Sequence, residues 1–211
     1  MKINILCDNK NSWFWDTNKN FLEEIEKLGN DVKVFETEES LSTADITAFI
    51  SCTRLVSPDG LSKSKSNIVC HPSDLPEGRG FSPIAWEILN NKDKITFTLF
   101  EANEKADEGV IYSKQIYNLT GNELSDDLRQ IQSEITYNMI LDYIKKYPNN
   151  NSYSQIGEGT WYPKRTPSDS ELDTNKTILE QINLLRIVDN QYYPAFFYYK
   201  DAKYILKIYK E

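Results

Sequence analysis

With 211 residues, among them 13 tyrosines, 9 phenylalanines and 4 tryptophans, the chain can bury a core as one domain, or as one domain plus an appendage. Acidic residues outnumber basic ones, 32 to 24, and the net charge of -8 excludes a broad nucleic-acid-binding face while leaving room for a local basic patch. A single histidine excludes a histidine-rich metal site, the scattered Cys7, Cys52 and Cys70 read as reduced thiols rather than disulfides or zinc ligands, and no apolar run approaches membrane-spanning length.

Met1-Lys2 leads directly into an apolar run, Lys2 to Cys7, read as a first strand with no signal peptide ahead of it; a cytoplasmic location is expected. That run ends in Asp8-Asn9-Lys10-Asn11-Ser12-Trp13, which has no glycine. It is not the Gly-rich loop that lets a pyrophosphate approach the backbone, so a dinucleotide cofactor is not expected. Asn9, Asn11, Ser12 and Trp13 either line a substrate pocket at the strand end or form a solvated loop with Trp13 on the sheet edge. Phe21, Leu22, Ile25 and Leu28 fall on one helical face. Asp31 to Phe35 alternates as a second strand; Asp45 to Cys52 is a third and Asn67 to His71 a fourth. Strands separated by helix-length segments predict an α/β fold, Rossmann-like, with a mostly parallel sheet flanked by helices.

The stretch Asn67 to Trp86 holds the only histidine. Ile68, Val69 and Cys70 deliver His71 to a turn built from Pro72, Ser73, Asp74, Pro76, Gly78 and Gly80. A helix opens near Ser82 and Pro83, with Ile84, Ala85, Ile88 and Leu89 toward the sheet. Strand, polar turn, then helix is how an open α/β sheet presents a functional group at the carboxyl end of a strand. A strand-ending turn with an incidental histidine is the alternative. Cys70 does not read as a nucleophile paired with His71, because neighbours in a strand point to opposite faces. Lys94 to Phe100 alternates as a half-buried strand with Gly109 to Tyr117 as its partner, and the acidic loop between them carries Asp107. A long helix follows Thr120-Gly121-Asn122, its buried face marked by Leu128, Ile131, Ile135, Met139, Ile140 and Ile144; Tyr147-Pro148-Asn149 ends it. The expected organisation is a core over 1–150, a linker over 151–174, and a small C-terminal α-β-β appendage over 175–211. The appendage reads as a short helix through Ile178, Leu179, Ile182 and Leu185, then β runs Ala195 to Tyr199 and Lys203 to Tyr209. Its aromatic surface (Tyr192, Tyr193, Phe196, Phe197, Tyr198) suits core packing or a homodimer face better than ligand stacking.

His71-Pro72-Ser73, Leu75-Pro76, Arg79-Gly80 and Pro83-Ile84, followed by Asp107-x-Gly109, resemble the folate-dependent formyltransferases that act on methionyl-tRNA, glycinamide ribonucleotide or nucleotide sugars. Tyr162-Pro163-x-Arg165-x-Pro167-x-Asp169 resembles a segment that follows the core in that family. The resemblance covers most of residues 1 to about 147. It implies 10-formyltetrahydrofolate as co-substrate, with no metal. It assigns His71 and Asp107 to catalysis. It places Arg54, Leu55, Val56, Asn103 and Asp107 at the folate, the backbone of Ser51 to Ser57 forming one wall of that pocket, with Leu55 and Val56 as plain core residues the alternative. The family's catalytic asparagine stands two residues before the histidine, where this chain has Val69. Asn67 shares the strand face of His71, but four residues span about 13 Å, so it joins the site only if the strand bulges. Arg79 suits a substrate phosphate or a solvated loop, and Lys164 and Arg165 are weaker candidates for the same task.

Formyl transfer to an amine is acyl transfer and needs an oxyanion donor, a proton acceptor and two pockets that meet at one carbon. An imidazole can donate or shuttle a proton, and a carboxylate beside it can hold it cationic or take the amine's proton through water. The activity implied is N-formylation of an amino sugar carried on a nucleotide, in a pathway to cell-surface deoxyamino sugars or nonulosonic acids. Another small amine, hydrolysis of formyltetrahydrofolate, and a silent folate-binding homologue are the alternatives. The acidity, and a C-terminus without room for a large RNA-contacting domain, favour a small substrate over tRNA. No nucleic-acid or membrane partner is expected.

Overall fold

A computed structural model describes residues 1–211. Its elements in chain order are β1 (Lys2–Leu6), α1 (Phe14–Lys27), β2 (Asp31–Phe35), β3 (Ala44–Phe49), α2 (Pro58–Ser62), β4 (Ser64–His71), β5 (Arg79–Gly80), α3 (Pro83–Leu89), β6 (Lys94–Glu101), β7 (Ile111–Asn118), α4 (Ser125–Lys146), β8 (Trp161–Tyr162), α5 (Ile182–Ile187), β9 (Ala195–Tyr199) and β10 (Ala202–Leu206). Short 3-10 turns occupy Glu38–Ser40, Pro167–Ser170 and Leu179–Gln181. No helix is long and apolar enough to cross a membrane.

The six main strands form one sheet in the order β2-β1-β3-β4-β6-β7. β2, β1, β3 and β4 run parallel; β6 is antiparallel to β4, and β7 to β6. This is the mostly parallel, Rossmann-like sheet that the spacing of the apolar runs predicts. Period-two alternation sorts β4 cleanly. Ser66 and Cys70 meet α4, through Tyr143 Oη at 2.7 Å and Met139 Sδ at 3.8 Å. Asn67, Val69 and His71 therefore share the other face. The core joins Ile3, Ile5, Ile46, Ile68, Phe97 and Leu99 of the sheet to Phe21 and Ile25 of α1 and Ile140 and Ile144 of α4. Each such buried side chain contributes roughly 1.5–3 kcal/mol before its ordering entropy is subtracted.

Three local differences have physical causes. α1 starts at Phe14, a full turn and more ahead of the apolar stripe at Phe21, because Ser12 Oγ accepts from Phe14 N and Phe14 itself is fully buried. β3 ends at Phe49 rather than Cys52, because Ser51 takes a left-handed φ of 53° and turns the chain away. α2 has no apolar stripe to announce it; Ser57 caps it through Gly60 N at 3.2 Å, and Pro58 opens it. α4 matches the expected buried face and also buries Thr136, Tyr137 and Tyr143, since it lies against α1 as well as the sheet; Phe21 and Tyr137 stack at 4.2 Å.

Two sets of contacts tie residues beyond α4 to the parts of the core that matter here. Thr160 and Tyr162 pair with the turn after His71, where β8 lies parallel to β5. The C-terminal helix and hairpin are fastened to the start of α4 by three ion pairs: Arg186 with Glu123 at 2.9 Å, Lys210 with Asp127 at 2.6 Å, and Arg129 with Asp189. The hairpin turns on Lys200 and Asp201, both left-handed at φ 44° and 62°, as a two-residue connection requires. Arg186 and Glu123 are only 6% and 4% exposed. Arg186→Met would leave the Glu123 carboxylate buried without its cation, and a loss of about 3–5 kcal/mol in urea unfolding is expected. Burial pushes the Glu123 carboxyl up, but the N–H groups of Thr120 and Gly121 outweigh it and hold the group below its ordinary value. Asp189 is likewise pushed up by burial and held down by Tyr192 and Gln191 N–H and by Arg129. Both contribute stability above the ordinary carboxylate range near pH ~4 and lose it as pH falls through their depressed values. Acid titration should therefore release the tail before the core, as faster amide exchange over 182–206.

Candidate active site

β4 ends at His71, which is 7% exposed. Its Nε2–H donates to Gly78 O at 2.8 Å. A carbonyl only accepts, so this bond places a proton on Nε2 and leaves Nδ1 as the nitrogen free to exchange one. Nδ1 has no partner in the chain and is not sealed off. The turn that carries Gly78 is held by residues 160–162: Gly78 N donates to Thr160 Oγ1 at 2.8 Å, Arg79 N to Thr160 O, and Phe81 N to Tyr162 O.

The loop after β6 folds back over the face of β4 that bears Val69 and His71. It brings Asp107 Oδ2 to 3.9 Å from His71 Nε2. Asp107 Oδ2 also accepts from Gly80 N at 2.8 Å, so the carboxylate is aimed by the same turn that holds the imidazole. Gly80 (φ 96°) has no space for a side chain: a Cβ there would stand 2.5 Å from Tyr162 O. Gly109 is tighter still, with a Cβ 1.5 Å from Glu101 O. That collision explains why Asp-x-Gly must end in glycine for the loop to lie flat on the strand. Gln155 fixes the loop from outside, donating from Nε2 to Asp107 O at 2.8 Å and Gly109 O at 2.9 Å.

His71 and Asp107 open onto a cavity of about 760 Å³. Arg54, Leu55, Val56 and Asn103 line it, as do Asn9, Ser12 and Trp13. The N–H groups of Arg54, Leu55 and Val56 have no partner in the chain, and Leu55 is 57% exposed. Asn103 accepts from Lys105 N through Oδ1, which leaves its amide nitrogen free. Trp13 packs edge-on against Tyr137 at 5.6 Å.

Two expectations are corrected. Asn67 does not line the cavity: its amide nitrogen donates to Leu61 O at 2.9 Å and its backbone N to Glu101 Oε1 at 2.6 Å. β4 runs straight through it without the bulge that would bring it to His71. Arg79 is also absent from the lining: Nη1 donates to Glu108 Oε1 and Nη2 to Gln155 Oε1, each at 2.8 Å. Its work is to lock the loop that carries Asp107. Val69, at the position the resemblance gives to asparagine, presents an apolar wall beside His71. The Cys70 thiol lies against Met139 and Thr136, and burial pushes it up to about 12, which removes any thiolate chemistry. Gln155 and Thr160 were not foreseen. They sit 48 and 82 residues from their partners, in the polar stretch that runs up to the Tyr162-Pro163-x-Arg165 segment, which signals neither contact.

Residues 22–144, more than half of the chain and including both His71 and Asp107, match the formyl transferase family model. The chain belongs to the formyl transferase family. It is 29% identical over 139 residues to the bifunctional polymyxin resistance protein ArnA of Wigglesworthia glossinidia brevipalpis, a match covering 64% of this chain and 21% of that protein. The chain thus spans about a fifth of the curated relative's length. Among solved structures it superposes on methionyl-tRNA formyltransferase from Clostridium thermocellum with a TM-score of 0.82 and 21% identity, covering 96% of this chain and 90% of that one. A sugar N-formyltransferase from Shewanella sp. superposes with a TM-score of 0.71 and 16% identity over 100% of this chain and 98% of that one. At these identities the structural matches establish the fold.

Proposed function

We propose that this formyl transferase family member moves a formyl group from 10-formyltetrahydrofolate to the amine of a nucleotide-linked amino sugar. The observation that carries the reading is the His71–Asp107 pair, held by one turn and opening onto a cavity of about 760 Å³. Free main-chain N–H groups at Arg54, Leu55 and Val56, beside an apolar Leu55 and Val56, fit a flat pterin whose edge is a row of donors and acceptors. Bound there, the folate would supply the formyl carbon. Asn103, on the loop leading to Asp107, has its amide nitrogen free to bind the same co-substrate.

The residues of the chain then divide the proton work. Gly78 O holds His71 in one tautomer, so Nδ1 can take a proton from the attacking amine. Asp107 stabilises the resulting imidazolium and is itself aimed by Gly80 N. Asn9, Ser12 and Trp13, at the end of β1, face the same cavity and suit the acceptor. A small acceptor agrees with the charge of -8. The sugar N-formyltransferase neighbour suggests the sugar, and the methionyl-tRNA formyltransferase neighbour makes aminoacyl-tRNA the acceptor to test against it.

The test is turnover of 10-formyltetrahydrofolate, followed by absorbance, against nucleotide-linked amino sugars, aminoacyl-tRNA and no acceptor. Turnover that needs the amino sugar supports the reading. Turnover without acceptor would make the chain a hydrolase, and turnover with aminoacyl-tRNA alone would replace the acceptor class.

A further inference from the structure

Arg165 is the half-buried cation of the cavity that the fold leaves without an anion. It stands between β8 and the Pro167–Ser170 turn, outside the 22–144 span of the family match. Its Nη2 donates to Asp169 O at 2.9 Å. Its Nε is buried with no partner, and no carboxylate lies within ion-pair distance. The nearest carboxylate, Asp169, already accepts from Thr166 N and Thr166 Oγ1 and caps its own turn. Burial pulls the guanidinium down, against a smaller opposing effect from Asp169. The neighbouring Lys164 also lines the cavity, with its Nζ 5.8 Å from the Phe81 ring and no carboxylate in reach.

The contrast with the other guanidiniums is informative. Arg79 is neutralised by Glu108, Arg129 by Asp189 and Arg186 by Glu123. Arg54 is exposed to water and needs no partner. In a chain of net charge -8, two adjacent cations line the cavity with neither paired to a carboxylate, one of them half-buried. A desolvated guanidinium is costly until an anion completes it, and its planar fork matches the oxygens of a phosphate.

We propose that Arg165, with Lys164, forms a phosphate subsite that holds the diphosphate of the acceptor while its amine reaches His71. The inference rests on the acceptor being phosphate-bearing and deepens the function proposed above. It moves the phosphate role from Arg79, which the fold uses elsewhere, to a residue beyond the catalytic core.

The experiment pairs calorimetric binding of inorganic pyrophosphate and uridine diphosphate with steady-state kinetics, for wild type, Arg165→Gln and Arg165→Lys. The glutamine keeps a donor for Asp169 O and removes the charge. Expected are a loss of about 10–100-fold in affinity for both anions in Arg165→Gln, partial recovery in Arg165→Lys, and an unchanged thermal midpoint. The KM for a nucleotide-linked amino sugar should rise by the same factor, with kcat and the KM for the formyl donor within about twofold of wild type. The KM for the same amino sugar without phosphate should not move. Anion binding that is equal in wild type and Arg165→Gln, or lost only together with the thermal midpoint, would overturn the subsite. The two proposals separate cleanly. Charge-dependent anion binding without any formyl transfer would keep the subsite and remove the transferase. Transfer with the same KM in Arg165→Gln would do the reverse.

Discussion

His71→Ala is expected to lower kcat for amine-dependent formyl transfer by about 10³–10⁴-fold while leaving folate affinity within a few-fold of wild type. The separation follows from position. His71 stands at the carboxyl end of β4, whereas the wall assigned to the pterin is built by Arg54, Leu55 and Val56 after β3. Asp107→Asn keeps the acceptor for Gly80 N but removes the charge that stabilises an imidazolium 3.9 Å away, and a loss of about 10²–10³-fold is expected. Because the chain has one histidine, its imidazole signals in a nitrogen-15 spectrum are unambiguous. A proton on Nε2 is expected, as the bond to Gly78 O requires. Protonation at Nδ1 instead would contradict the assignment of that nitrogen as the base. Retention of wild-type kcat in His71→Ala would remove the histidine from the chemistry.

Gly109→Ala should be nearly as damaging without touching a reacting group. An added Cβ would lie 1.5 Å from Glu101 O, and a backbone oxygen in a paired strand cannot yield as a flexible side chain would. The loop must lift, carrying Asp107 off Gly80 N and away from His71. A displacement of about 1 Å at a catalytic group costs on the order of 10²-fold in rate. A comparable fall in kcat is expected, together with faster amide exchange across 102–110 and a lowered thermal midpoint. Wild-type kcat in Gly109→Ala would show that the loop's close approach to β6 does not position Asp107.

The contrast between these two residues shows what a sequence discloses. His71, Pro72 and Ser73, and Asp107 with Gly109, stand in short local patterns whose purpose is to bend the chain sharply. Such patterns survive in the order of residues. The parallel strands were equally visible, because period-two alternation and helix-length spacers are local features. What was not visible was how the loops are held. Gln155 reaches Asp107 across 48 residues, and Thr160 reaches Gly78 across 82, from the polar stretch that runs up to the Tyr162-Pro163-x-Arg165 segment. Those contacts are set by tertiary folding, and no periodicity encodes them. Arg79 and Arg165 illustrate the same limit. Both are arginines in polar stretches, Arg165 the weaker phosphate candidate on sequence, and the positions of Glu108 and Asp169 reverse that order. Asn67 failed for a simpler reason: β4 is straight, so a residue four positions back stays four positions back.

The most direct measurement follows the formyl carbon itself. Wild-type protein is given 10-formyltetrahydrofolate carrying carbon-13 in the formyl group, with a nucleotide-linked amino sugar, and the label is located by NMR. The account predicts a formamide signal on the sugar nitrogen, formed only with the amine present and absent in His71→Ala. Label recovered as free formate, at the same rate with or without the amine, would contradict it.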